Sequence, residues 1–426
     1  MPVGLILYRL SLDLAYPLIS QYYANSGMIM TEEAMPGILS WAIFLCSLPI
    51  MINIWNKNTL YSIMFSTLYL ISFVPSTSLF MYIDPAPGFV FSFILYWSVL
   101  LLASYMIVNA KIKIPEIKSQ RDYSIFIYMF VLLICAVVVY TSWRFRGLSF
   151  NFGLSVEHID KLRLDVKIMS ISNIHKRLLA TANKILPIIM VYFLWRKKWI
   201  WAAAILFVSL LNFGIAGHKL VLFSTILSIV AFWCYRDWVW EFIPAALAFV
   251  NFAAIFLLDN FGIIDLIHHI SRRVLFVPAL LNYCYYDYFN SNGPDYYISS
   301  FVGKILKIPS GHKQDISHTI GEIYFNAPQM AANNGLYSDA FANLGVAGCI
   351  ILPLLLCFSI FMLQYFSRNL PNKVLFSIVI VYSMTFISSF LSTIVFTHAL
   401  AVLMLICYFM SSTKQNEGVM SYERDK

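Results

Sequence analysis

"WIWAAAILFVSLLNFGIAGHKLVLFSTILSIVAFWCY", residues 199–235, contains only two side chains that carry charge or readily gain it, His218 and Lys219. One helix over this stretch would run about 54 Å, too long for the roughly 30 Å of hydrocarbon in a bilayer. Two crossings joined by a tight break at Gly214–Gly217 fit better, because glycine accepts turn geometry. His218 and Lys219 then stand at the mouth of a hairpin. Two readings of that ammonium stay open: it snorkels to the interface, or it forms an anion site in one leaflet.

The same apolar pattern recurs along the whole chain. Of 426 residues 60% are hydrophobic and 12% charged, against about 25% charged in an ordinary soluble domain. Spans are expected at about 3–20, 37–54, 60–82, 88–109, 123–142, 178–195, 200–216, 219–235, 240–258, 341–363, 374–390 and 392–411. The fold class is all-α: a polytopic helical integral membrane protein with about twelve transmembrane helices. Short alternating strands of the kind a barrel needs are absent, and the N-terminus shows no cleavable leader.

Orientation follows from lysine and arginine in short loops. "AKIKIPEIKSQRD" (110–122) carries Lys111, Lys113, Lys118 and Arg121 and belongs in the cytoplasm. Counting outward places Lys57, "RKK" (196–198), Arg236, Arg368, Lys373 and the basic tail on that side, with both termini cytoplasmic. "DPAP" (84–87) and the loop around Glu32–Glu33 fall outside. The chain therefore divides into N-terminal spans (1–142), a first large outer loop (143–177), central spans (178–258), a second large outer loop (259–340), and C-terminal spans with a tail (341–426).

The net charge of +8 is scattered among spans, which points away from nucleic acid and toward anionic lipid or a phosphorylated membrane substrate. Six cysteines fall in spans and only Cys284 in a loop, so no disulfide is implied. No His/Cys/Asp cluster has metal-ligand spacing. Arg9 and Asp13, four residues apart near mid-membrane, are expected to neutralise each other. Lys184, Asp259 and His398 lie toward the outer ends of their spans.

Both outer loops contain amphipathic segments. Val156, Ile159, Leu162, Val166 and Met169 form a helical stripe behind Ser155 as N-cap. In the second loop, Ile263, Ile267, Ile270, Val274 and Val277 share one face. Asp265, His268, His269, Arg272 and Arg273 share the other, and Pro278 is expected to stop the helix. That cationic face suits two adjacent phosphates or anionic headgroups. "NYCYYDYFNSNGPDYY" (282–297) mixes tyrosines with Asp and Asn, a composition for sugar faces and hydroxyls that also suits a membrane interface.

"GEIYFNAPQMAANNGLYSDAFANLGVAG" (321–348) resembles the region of Wzy-type O-antigen polymerases where a periplasmic loop re-enters the membrane. The matching residues are Asn333–Asn334–Gly335, Asp339, Phe341–Ala342–Asn343, Gly345 and Gly348. "GIAGHKLVLF" (214–223) resembles the family's span opening, with Lys219 where arginine is usual. Span count and two large outer loops match over nearly the full length. An Arg-x10-Gly pattern of some members has no counterpart in either outer loop.

The resemblance implies a metal-independent glycosyltransferase, with no cofactor, in the bacterial inner membrane. It joins undecaprenyl-pyrophosphate-linked oligosaccharides at the periplasmic face, beside membrane lipid and a chain-length-regulating membrane protein. Cations must stabilise the pyrophosphate leaving group: Lys219, Arg272 and Arg273, then Arg177 and Lys184. The attacking hydroxyl needs a base, for which Asp339, Glu322, His318 and His398 are candidates. His218, Asn343 and His398 are candidates for substrate binding. The alternatives are a lipid-linked oligosaccharide flippase and an O-antigen ligase. The ligase's His-x10-Gly spacing starts from no histidine here.

Overall fold

Among the described residues of the computed structural model, eight helices are long and apolar enough to cross a membrane. The structure describes residues 1–31, 35–110, 123–148, 162, 165, 171–217, 219–236, 238–309 and 314–413. Every regular element among them is helical. In chain order these are α1 (Pro2–Tyr23), α2 (Gly37–Trp55), α3 (Leu60–Leu79), α4 (Pro87–Asn109), α5 (Ser124–Arg146), α6 (Asn173–Trp195), α7 (Trp199–Ala216) and α8 (Lys219–Cys234). Then follow α9 (Val239–Phe261), a π-helical segment (Ile267–Phe276), α10 (Val277–Asn292), α11 (Phe301–Leu306), α12 (Ile316–Phe325), α13 (Tyr337–Ser367), α14 (Asn372–Ser388), α15 (Leu391–Phe396) and α16 (Leu400–Ser412).

The eight long spans are α1 (counted to Ser26), α2–α6, α9 and α13; apolar parts of α7, α8, α14 and α16 are shorter. The expected twelve apolar segments therefore all appear as helix, but four fall below the length of a straight crossing. The expected hairpin break is present: α7 stops at Ala216 and Gly217 adopts φ 64°. His218 and the side chain of Lys219 lie outside the described residues. The last expected span is interrupted before Ala399, which adopts φ 61°.

The chain forms two compact units that interleave in sequence. The first comprises Met1–Ala110, Arg236–Phe361 and Ser383–Thr393. In it α1 packs along α9, and α3 is buried over most of its length. Small residues make that possible: Ser62, Ser66, Ser72, Ser76, Thr77 and Ser78 of α3 are all buried, and small side chains let helix backbones approach closely. A π turn at Tyr69–Phe73 precedes Pro75, and the Val74 N–H donates to the Tyr69 carbonyl. In that register Pro75 supplies no donor to the Leu70 carbonyl, and the Tyr8 hydroxyl donates to it instead at 3.0 Å.

The expected neutral pair in α1 is realised. Arg9 donates to Asp13, and also to Ser40 Oγ at 2.6 Å and the Thr77 carbonyl at 3.1 Å. Ser78 Oγ donates to Asp13 at 2.5 Å.

The second unit comprises Lys111–Tyr235, Met362–Tyr382 and Ile394–Lys426. Within it α5, α6 and α7 pack together. Arg146, at the end of α5, donates to Asp165 at 2.8 Å and to the Leu162 and Ile215 carbonyls at 3.1 Å. Leu162 is buried, as its place on the expected stripe requires; Val156, Ile159, Val166 and Met169 lie outside the described residues.

Candidate functional site

The stretch from Asn333 to Gly348 folds as a junction inside the first unit. Helix α13 breaks at Gly345, whose φ of 57° and ψ of −140° are non-helical. Just before the break, the Ala342 and Asn343 carbonyls accept from the backbone N–H groups of Asp295 and Tyr296 at 2.8 and 3.0 Å. Gly335 donates to the Ile387 carbonyl at 2.7 Å. A Cβ at Gly335 would run into the Phe386 and Ser389 carbonyls, and one at Gly348 into that of Ala340. Glycine at these two places is a requirement of close backbone approach.

Asp339 is 2% exposed. Its Oδ2 accepts from the Leu391 N–H at 2.6 Å and its Oδ1 from Asn343 Nδ2 at 2.8 Å. Asn343 Oδ1 accepts in turn from the Tyr297 N–H at 3.2 Å. Beside this chain, Asn282 Oδ1 accepts from Asn334 and Ser338, both at 3.0 Å. Asp339 and Asn343 are thus brought together, but as a tie joining α13, the 295–297 strap and the start of α15.

The other acid–base candidates of this unit are more open. His318 and Glu322 sit four residues apart on α12, the first half-buried and the second exposed. Glu322 accepts from Gln314 Nε2 at 2.7 Å. Nearby in the fold, Tyr324 of α12 donates to exposed Asp287 of α10 at 2.6 Å. Burial, and then the hydrogen bond to Asp287, push the Tyr324 phenol above its ordinary range. Asp287 stands in the Tyr/Asp-rich run singled out above, but nothing local distinguishes it there from Asp295.

The cationic segment departs from its expected form. Pro278 does not stop the helix. The π turns of Ile267–Phe276 run straight into α10, and proline is tolerated in the first turn of a following α-helix. A π-helix holds more residues per turn than an α-helix, so the buried row becomes Ile267, Ser271, Leu275 and Phe276. Ile263 is exposed. Asp265, His269 and Arg273 stay exposed, whereas His268 and Arg272 turn partly inward.

What they turn toward is Tyr23, the last residue of α1. The Arg272 guanidinium carbon lies 4.2 Å from the Tyr23 ring centre. His268 Nδ1 lies 2.8 Å from the Tyr23 hydroxyl and 3.4 Å from Arg272 Nη1. Arg272 Nε is buried and has no hydrogen-bond acceptor among the described residues. Burial first, then the Arg272 charge, lower the His268 pKa, which favours the neutral ring, the form that can accept at Nδ1. The local sequence carries no sign of Tyr23, because the contact spans 245 residues.

The remaining candidates belong to the second unit. Arg177 is exposed on the first turns of α6. Lys184, also on α6, acts electrostatically on His398. His398 lies between α15 and α16, and its carbonyl accepts from the Tyr382 hydroxyl at 3.0 Å. Lys219 opens α8. Cys284, expected in a loop, is buried in α10, and all seven cysteines are free.

No protein-family model, curated protein or solved structure matches the chain.

Proposed function

We propose that this protein is a glycosyltransferase of the O-antigen polymerase kind, joining lipid-diphosphate-linked oligosaccharides at the periplasmic face of a bacterial inner membrane. The observation that carries the reading is Arg272: a guanidinium stacked on Tyr23, with a buried Nε that has no acceptor among the described residues, beside His269 and Arg273. Loop charge assigns this segment to the side opposite the basic short loops. A guanidinium and a second cation on one short segment suit the paired negative charges of a diphosphate.

In the proposed reaction a sugar hydroxyl of the incoming unit attacks the anomeric carbon of the growing chain. A new glycosidic bond forms, the bond to the diphosphate oxygen breaks, and the diphosphate leaves with the electron pair. Arg272 and Arg273 stabilise that charge. The hydroxyl proton passes to a base, for which open His318 and Glu322 on α12 fit better than enclosed Asp339. Lys219, Arg177 and Lys184 of the second unit remain phosphate-binding candidates through the family resemblance, as do His218 and His398 for substrate.

The test is deletion of the gene followed by gel analysis of surface lipopolysaccharide. Core bearing a single repeat supports polymerisation. Core without any repeat points to a flippase or a ligase, and an unchanged ladder rejects all three. Arg272→Ala should reproduce the deletion while the protein still inserts.

A further inference from the structure

Resting on that reading of Arg272, we propose that Tyr23 and His268 are its positioning residues. Together they hold the guanidinium plane so that its Nη edge, and not a freely rotating charge, meets the diphosphate. An arginine on a solvated helix samples many rotamers and loses that freedom on binding. Here the freedom is already restricted. The Tyr23 ring covers one guanidinium face at 4.2 Å. His268, one turn earlier, lies against Nη1 at 3.4 Å. The Tyr23 hydroxyl at 2.8 Å from His268 Nδ1 ties the two supports to each other.

The π-helical backbone sets which row faces inward, with Ile267, Ser271, Leu275 and Phe276 buried. His268 and Arg272 turn partly inward together, while Arg273 and His269 remain exposed. Neither support carries charge to the ligand when His268 is neutral. Both act through Arg272.

Purified protein titrated with inorganic pyrophosphate reads this directly, alongside polymer length in the deletion strain carrying each variant. Tyr23→Leu, which removes ring and hydroxyl, should weaken pyrophosphate binding about tenfold. Tyr23→Phe keeps the ring and should weaken it less. Tyr23→Leu combined with Arg272→Ala should bind no worse than Arg272→Ala alone, the non-additivity expected of residues acting as one unit. Arg272→Lys should not restore binding, since an ammonium has no plane to hold. His268→Asn, which retains an acceptor, should stay close to wild type, while His268→Leu falls with Tyr23→Leu.

Arg272→Ala weakening binding while Tyr23→Leu leaves it unchanged would overturn the positioning role alone, as would strictly additive losses. Arg272→Ala binding as well as wild type would instead sink the diphosphate reading of the site. If Tyr23→Leu fails to insert, Tyr23→Phe and the two His268 variants decide the matter by the same order of affinities.

Discussion

The Leu391 backbone N–H donates to Asp339 Oδ2 at 2.6 Å across 52 residues of chain. Asp339 thereby anchors the break between α14 and α15, while its other oxygen holds Asn343. A carboxylate whose two oxygens are both engaged, in a side chain this enclosed, is a structural fastener. This changes what its substitution should do.

Asp339→Asn keeps the shape but turns one acceptor into a donor, so either the Leu391 N–H loses its side-chain acceptor or Asn343 Nδ2 keeps only the Asp339 carbonyl at 2.9 Å. Loss of such a buried hydrogen bond costs about 1–3 kcal/mol. The expected outcome is a lowered unfolding temperature and greater protease sensitivity of the purified protein. Lost polymer synthesis with an unchanged unfolding temperature would move Asp339 from the framework into the chemistry.

Gly335→Ala tests the same junction from the backbone side. Its Cβ would meet the Phe386 and Ser389 carbonyls, neither of which is a flexible side-chain end. Overpacking of this kind costs about 1–3 kcal/mol. Gly262→Ala is the comparison: its φ is 67° but no heavy atom lies within 4 Å of the added carbon, so only the left-handed backbone cost of about 1 kcal/mol applies. Unfolding temperatures of the two variants should therefore differ. Gly335 has no left-handed φ, so a loss no greater than that of Gly262→Ala would show that the two carbonyls give way to the added carbon.

Arg9 and Asp13 form a buried pair surrounded by hydroxyls. Removing one partner strands the other: Arg9→Met should destabilise by about 3–5 kcal/mol. Arg9→Met combined with Asp13→Leu should recover most of that loss, because the desolvation cost of burying charge disappears with the charges. Recovery of stability together with wild-type polymer length would confine the pair to a structural task. A stable double variant that makes no polymer would give it a functional one.

The expected spans were legible because an apolar run long enough to cross hydrocarbon announces itself locally: α2 was expected over 37–54 and occupies Gly37–Trp55. The junction at Asp339, Asn343 and Gly345 was legible as a special stretch, but its work was not. That work depends on Leu391 and Tyr297, which no spacing rule connects to it. The cationic segment departs from its expected form for a different reason. A 3.6-residue period assigns the wrong inward row to a π-helix, and the local signal of a π turn is weak. Tyr23 was out of reach altogether, since His268, the nearer of its two partners in sequence, lies 245 residues further along the chain.

His268 makes the last expectation one of pH. It faces Tyr23 on α1, with Arg272, Arg273, His269 and Asp265 on or beside its own segment. Burial comes first among the causes that lower its pKa from the ordinary 6.5, followed by Arg272 and the other cations; Asp265 works the other way. The unfolded chain therefore takes up this proton more readily than the folded one, and acid favours unfolding. The contribution is fully present above pH 6.5 and is lost as pH falls through the lowered folded value. Unfolding temperatures measured from neutral pH downward should thus fall more steeply for wild type than for His268→Asn, which has nothing to titrate. A bound diphosphate places negative charge beside the ring and should flatten the wild-type slope. A wild-type curve that rises on acidification relative to His268→Asn would mean that the ring is stabilised in its charged form, and the Tyr23 hydroxyl could then no longer be donating to Nδ1.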